Sequence, residues 1–190
     1  MARTRRAVKT LVQKAWRARG RTVLRKAGID DAERLADLGR TTFARAYADL
    51  HAPGDIDAYC RETYSLEATR ALLADPSIHC DLAFAGGAAA GYAMVAHTPC
   101  PLPLDGPSSE LKRLYILPEA FGTGLGPALF DRALDVMRAA GRRHVWLSVA
   151  DINPRGRPFY DRRGFLAIGR GPVFHVGGDR VPSTLMARAL

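Results

Sequence analysis

The chain has 190 residues, 47% hydrophobic and 25% charged, which suits one globular domain able to bury its own core without disulfides or a structural metal. Its three cysteines, Cys60, Cys80 and Cys100, are far apart and form no CxxC or His/Cys cluster, which argues against a disulfide framework or a zinc site and for a reduced, cytoplasmic setting. The net charge of +9 is concentrated at one end: residues 1–26 hold ten Lys or Arg and no acid, leaving 18 basic against 19 acidic residues in the remainder, so the basic isoelectric point is no sign of a nucleic-acid-binding fold.

At the start of the chain, Val8, Leu11, Val12, Ala15 and Trp16 recur at helical spacing among Lys9, Lys14, Arg17 and Arg19. Residues 1–21 read as a basic N-terminal extension that packs on the domain or frays. Contact with nucleic acid or an anionic membrane is the alternative. Charges recur through Arg25, so the segment lacks a signal peptide's apolar region. The longest apolar stretch, 82–96, is broken by Gly86-Gly87 and too short to cross a bilayer.

Thr22 to Lys26 reads as a first strand. Asp30 and Asp31 open a helix whose apolar stripe is Leu35, Leu38, Phe43, Ala46, Tyr47 and Leu50, broken at His51-Ala-Pro-Gly. A second helical region runs from about Asp55 to Ala74 and stops before Pro76. Ile78–Ala85 and Ala88–His97 flank Gly86-Gly87 as a hairpin. The proline-rich stretch from Thr98 to Pro107 is a loop. A strand from Glu110 to Leu117, a helix from about Gly124 to Ala140, a strand from His144 to Ala150 and a short helix from Pro154 to Arg162 follow. A last strand pair lies at about Phe165–Ile168 and Ser183–Ala189. The order β-α-α-β-β-β-α-β-α-β-β predicts an α/β fold with a mixed central sheet flanked by helices.

The run ELKRLYILPEAFGTGLGPALFDRAL, from Glu110 to Leu134, carries the strongest chemical signal. A strand feeds a turn with three glycines, and the turn feeds an amphipathic helix. Glycines let the backbone approach a bulky anion, and the helix start offers N–H groups and a positive dipole end. Pro127 sits in the first helical turn, where its missing N–H costs little. The spacing is neither the dinucleotide GxGxxG nor a P-loop, because Gly126-Pro127-Ala128 lacks the GK[ST] ending.

A second segment, WLSVADINPRGRPFYDRRGF from Trp146 to Phe165, follows one helix later. Together the two segments resemble the GNAT superfamily of N-acetyltransferases. That family pairs a Q/R-x-x-G-x-G/A loop after one strand with an N-x-x-x-x-x-F-Y-x-x-x-G-F segment after the next. Gly124 and Gly126 match the first, and Asn153, Phe159, Tyr160, Gly164 and Phe165 match the second. The stretch around Thr42-Phe43 and Tyr47, with LYILPE, looks most like the polyamine-acetylating, PaiA-like branch. The resemblance covers about residues 22–190, which marks them as the acetyltransferase domain.

The resemblance implies acetyl-CoA as cosubstrate and no metal. Main-chain groups of Leu114, Tyr115 and Ile116 would pair with the pantetheine arm like an added strand. The amides of Gly122, Thr123, Gly124, Leu125 and Gly126 would hold the pyrophosphate. Asn153 would bond the pantetheine or phosphate region, besides its local reading as a helix N-cap. Tyr160 would protonate the departing thiolate. The loop's first position, usually Gln or Arg, is Phe121, which predicts weaker cofactor binding. Glu110 is the candidate general base for the incoming ammonium, or else a solvated strand-edge carboxylate. His51, His79 and His97 read as isolated. Arg155, Arg157, Arg162 and Arg163 are candidates for the CoA 3′-phosphate or a solvated basic face.

The expected reaction is direct attack of a primary amine on acetyl-CoA in a ternary complex. Asp49, Asp55, Asp57 and Glu62 suggest a small cationic acceptor such as a polyamine or aminoglycoside. The alternatives are a protein N-terminal or lysine acetyltransferase directed by the basic arm, and a non-catalytic acyl-CoA-binding module. A homodimer is compatible with either.

Overall fold

A computed structural model describes residues 22–190; the basic extension at 1–21, with its helical pattern, lies outside the described residues. Strand β1 (Thr22–Lys26) leads through a 3-10 turn into helix α1 (Ala32–Tyr47), followed by α2 (Pro53–Thr63) and α3 (Leu66–Ala74). Then come β2 (Ile78–Ala85), β3 (Ala88–Ala96), β4 (Ser108–Ile116), α4 (Leu125–Ala139), β5 (His144–Ala150) and α5 (Gly156–Asp161). The chain closes with β6 (Leu166–Arg170), β7 (Phe174–Val176), β8 (Asp179–Val181) and β9 (Ser183–Ala189).

Seven strands form one sheet in the order β1-β2-β3-β4-β5-β9-β6, antiparallel except for the β4–β5 pair. The expected mixed α/β architecture is therefore present, with two differences of detail. The second helical region is two helices, because Ser65 breaks it: its hydroxyl accepts from the Ala68 amide at 3.1 Å and caps α3. A further hairpin, β7–β8, turns at Gly177-Gly178, the same signal as Gly86-Gly87 between β2 and β3.

Helix α4 covers one face of the sheet. Its Leu129, Phe130, Ala133 and Met137 pack on Ala83, Val95, Leu111, Val145, Leu147 and Met186. Helices α1 and α3 cover part of the other face, where Leu35 and Leu38 meet Cys80, Leu82, Tyr92 and Met94, with Leu72 and Leu73 alongside. Burial among these groups pushes the Cys80 thiol up to about 12, so it serves as packing rather than as a nucleophile. The rest of that face lies under the proline-rich loop, whose Leu102 and Leu104 pack against Trp146, Leu185 and Ala187. The Trp146 indole donates to the Thr98 carbonyl at 3.1 Å and holds the loop down. Between α1–α2 and this loop the middle of the sheet is left for a site.

Asp31 fastens the first strand to the first helix. Its carboxylate takes both guanidinium arms of Arg25 at 2.7 Å, a bond from Arg34 at 2.7 Å and the Gly28 amide at 3.0 Å. The Arg25 hydrogen bonds hold the Asp31 carboxyl well below the usual carboxylate range, against the effect of burial.

Candidate active site

Strands β4 and β5 begin as neighbours and then part. Only Ser108, Ser109 and Glu110 of β4 pair with β5, opposite His144, Val145 and Trp146. Beyond Glu110, β4 stays with β3 as far as Ile116, while β5 stays with β9 along its whole length. A bulge between Met94 and Val95 places one unmatched residue, Lys112, in β4 just past the branch, and a bulge bends its strand. The inner edge of β4 thus offers main-chain N–H and C=O groups to an extended polar chain. Leu114, Tyr115 and Ile116 lie on that edge. Gly91 lets β3 hold them closely, since a Cβ there would stand 2.5 Å from Ile116 Cγ2 and 2.7 Å from the Tyr115 carbonyl oxygen.

The wedge ends at the glycine turn. Pro118–Ala120 makes a 3-10 turn, and the Thr123 hydroxyl donates back to the Ala120 carbonyl at 2.7 Å. Gly122 and Gly124 have φ of 76° and 90°, the left-handed region that glycine enters without strain. Gly124 is the N-cap of α4 and no side chain caps that helix. The helix start therefore leaves the Leu125 and Gly126 amides without intrahelical partners, beside the positive dipole end. Gly126 keeps this start against β4: a Cβ there would touch Ile116 Cδ1 at 3.4 Å. At the entrance, the Arg155 guanidinium carbon lies 4.9 Å from the centre of the Phe121 ring. The position that lacks its own polar side chain thus holds a cation contributed by the segment before α5.

That segment brings Asn153 and Tyr160 to the wedge. The Asn153 side-chain oxygen accepts from the Arg155 and Gly156 amides at 3.1 and 2.9 Å, an Asx turn just ahead of α5, whose N-cap position is Arg155 rather than Asn153. The same side chain lies against the Tyr47 phenol from α1. Tyr160 is half-buried, with its ring 5.2 Å from Phe159 and 5.4 Å from Phe165. Burial pushes its phenol pKa up, Tyr47 adds to this and Arg163 opposes it, so the phenol stays protonated at neutral pH. Arg163 itself packs over the Phe159 ring at 3.6 Å and donates to the Phe159 carbonyl at 3.2 Å. Arg157 lies 4.0 Å from Asp161.

Glu110 stands at the fork, the last β4 residue paired with β5. Its carboxylate is 3.7 Å from the Lys112 ammonium, and its side chain is only 17% exposed. It is therefore not a solvated edge carboxylate. It projects on the same face as its partner Trp146, the face away from α4.

Against this geometry, the sequence profile of the Acetyltransferase (GNAT) family matches residues 43–165. An uncharacterised N-acetyltransferase of Mycobacterium tuberculosis is 31% identical over 162 residues, 85% of this chain and 99% of its own. The chain belongs to the GNAT family. It is also 29% identical over 142 residues to spermidine N(1)-acetyltransferase of Thermoplasma acidophilum, covering 75% of this chain and 86% of that one. The crystal structure of the PaiA N-acetyltransferase of T. acidophilum with coenzyme A superposes with a TM-score of 0.70 at 24% identity, covering 90% of this chain and 100% of that one. The protein is an acetyltransferase with the GNAT fold, similar to the PaiA branch.

The other wall of the acetyltransferase cleft is aromatic. Phe43, Tyr47 and Tyr59 stack at 4.3–4.6 Å between ring centres, with Ile56, Cys60, Tyr64 and Val176 around them. Val176 belongs to the β7–β8 hairpin, which therefore leans on α2. His51, buried, bonds Asp179 of that hairpin at 2.7 Å, and the Gly177 tip meets Asp55 so closely that a Cβ would overlap its carboxylate. None of the three histidines is isolated: His79 bonds Asp81 at 2.8 Å and His97 bonds Ser109 at 2.9 Å. Of the four acids expected to attract a polycation, Asp55 lies against Gly177. Asp49, Asp57 and Glu62 are exposed, and α2 turns Ile56 and Cys60 inward instead. The charge that does lie in this wall is Arg113, which sequence patterning passed over as one more polar residue of a strand.

Among the described residues no group of three or more His, Cys, Asp or Glu is placed to hold a metal ion, and no helix is long and apolar enough to cross a membrane. Its three cysteines are unpaired.

Proposed function

We propose that the protein transfers the acetyl group of acetyl-CoA to the primary amine of a small molecule, by direct attack in a ternary complex. The observation that carries this reading is the β4–β5 fork running into the glycine turn, a slot with main-chain edges at one end and helix amides at the other. The pantetheine arm lies along Leu114, Tyr115 and Ile116 as an added strand. Its amides and carbonyls pair with the β4 edge that β5 abandons. The pyrophosphate meets the amides of Gly122, Thr123, Gly124, Leu125 and Gly126, with Arg155 replacing the charge that Phe121 does not supply. Asn153 uses its oxygen for the Arg155 and Gly156 amides and keeps its amide hydrogens for the cofactor side.

At the reacting end the amine must arrive neutral. Glu110, at the fork and largely shielded, takes the ammonium proton directly or through water. The neutral amine nitrogen then bonds to the thioester carbon and the tetrahedral adduct collapses: the carbon–sulfur bond breaks, the Tyr160 phenol donates its proton to the leaving sulfur, and the second nitrogen proton passes through water to restore the phenol, while Glu110 releases the first to solvent. The raised phenol pKa suits this, since a phenolate has no proton to give. The likeness to a spermidine acetyltransferase supports a small amine acceptor such as a polyamine, with aminoglycosides a second class to assay.

A panel of polyamines, aminoglycosides, amino acids and peptide amines, each assayed with acetyl-CoA for thiol release and for acetylated product, tests the reading. Product from a small amine in preference to peptide amines is expected. Product only from peptides would overturn the small-amine reading, and no product at all would leave an acyl-CoA-binding module.

A further inference from the structure

Arg113 is a cation without an acid. It projects from the middle of β4, half-buried, and takes part in no ion pair among the described residues. Its neighbours are paired: Lys112 with Glu110, Arg45 with Glu119 and Arg40 with Asp37. The Arg113 guanidinium lies 4.9 Å from the centre of the Tyr64 ring, with Tyr59, Tyr92 and Tyr115 around it. Tyr59 is 6.3 Å from Tyr64 and Tyr115 is 5.8 Å from Tyr92, ring centre to ring centre. Burial works against its charge, yet a guanidinium stays protonated at any pH the protein meets. Gly39 of α1 preserves the arrangement, since a Cβ there would run into the Tyr64 ring at 2.4 Å.

The position of this group ties it to the acceptor. Tyr47 links the two ends: it lies against Tyr115 and Asn153, while Arg113 lies within electrostatic reach of Tyr115 and Tyr160 within electrostatic reach of Tyr47. Arg113 therefore shares a wall with the reacting centre, on the side of α1 and α2 and away from the glycine turn. A half-buried guanidinium without an ion-pair partner among the described residues has a planar fork of donors suited to a carboxylate. A polycation seated here would bring like charge against it, which disfavours binding. Asp55, the half-buried acid of α2, lies against Gly177 instead.

We infer that the acceptor is an amino-acid-like molecule, a primary amine whose own carboxylate binds Arg113 while the amine meets the acetyl group. This rests on the small-amine reading above and narrows it. The test compares each amino acid with the amine left by its decarboxylation: lysine with cadaverine, arginine with agmatine, phenylalanine with phenethylamine. A charge-assisted bond to a carboxylate predicts kcat/KM about tenfold or more in favour of at least one amino acid over its partner. In Arg113→Gln that ratio falls toward one, mainly through a higher KM for the amino acid, and Arg113→Lys recovers part of it. Equal or better turnover of the decarboxylated amines or of spermidine by the wild type would overturn the inference alone. So would a ratio unchanged in Arg113→Gln. Turnover of neither set would bring down the small-amine reading with it. The wild-type comparison decides even if the Gln variant does not fold.

Discussion

The two walls of the cleft are built from different materials. On the proposed cofactor side the features are main-chain: the open edge of β4, two left-handed glycines and the start of α4 without a side-chain cap. On the side proposed for the acceptor they are side chains drawn from α1, α2, the α2–α3 junction, β4 and a late hairpin: Tyr47, Tyr59, Tyr64, Arg113 and Val176. A main-chain site needs particular residues only where the backbone demands glycine, so it can persist while other positions change. A side-chain site can change its ligand with one substitution.

Variants can break that contrast or sharpen it. The largest effect belongs to Tyr160, where both walls meet. Tyr160→Phe should lower kcat by roughly a hundredfold or more, as loss of a general acid does, and leave the dissociation constant of acetyl-CoA nearly unchanged by calorimetry. An equal loss of affinity would instead make Tyr160 a binding residue. Gly124→Ala comes next. Its φ of 90° makes any side chain cost about 1 to 2 kcal/mol, and relief of that strain turns the amides away from the phosphates. The KM for acetyl-CoA should rise roughly tenfold by the 1.4 kcal/mol rule, with the acceptor KM little altered.

Arg155→Gln should have a smaller effect, because an exposed cation contributes little: no more than about a fivefold rise in the KM for acetyl-CoA, fading as salt is added. No change at low salt would separate Arg155 from the phosphates. The smallest catalytic effect is expected far from both walls, at Asp31. Its folded-state carboxyl lies below the unfolded value, so its contribution is complete above about pH 4 and is lost as the pH falls further. Asp31→Asn should cost about 1 to 2 kcal/mol at neutral pH, discounted because Arg25 and Arg34 are half-exposed. Its urea stability should then depend less on pH between about 4 and 2 than that of the wild type.

The same contrast explains what could be read from the sequence. Gly122, Gly124 and Gly126 announce themselves because a backbone site dictates residue type at fixed local spacing, and Asn153 and Tyr160 follow at a fixed distance along the chain. The Ser65 break between α2 and α3 was there to be found as an N-cap inside an otherwise unbroken helical pattern. The β7–β8 hairpin carried its own Gly177-Gly178 signal, but flanking strands of three residues each are too short to show alternation. Arg113 was not legible. Alternation places it on one face of β4, yet only the folded chain brings Tyr59, Tyr64 and Tyr92 from three separate elements around it.

The central claim is that acetyl-CoA lies in the β4–β5 fork as an added strand. Amide hydrogen exchange with and without acetyl-CoA tests it most directly. The account predicts new protection at 114–116 and 122–126, weaker protection around 153–156, and little change in the β7–β8 hairpin. Binding of acetyl-CoA without protection on the inner edge of β4 would contradict it.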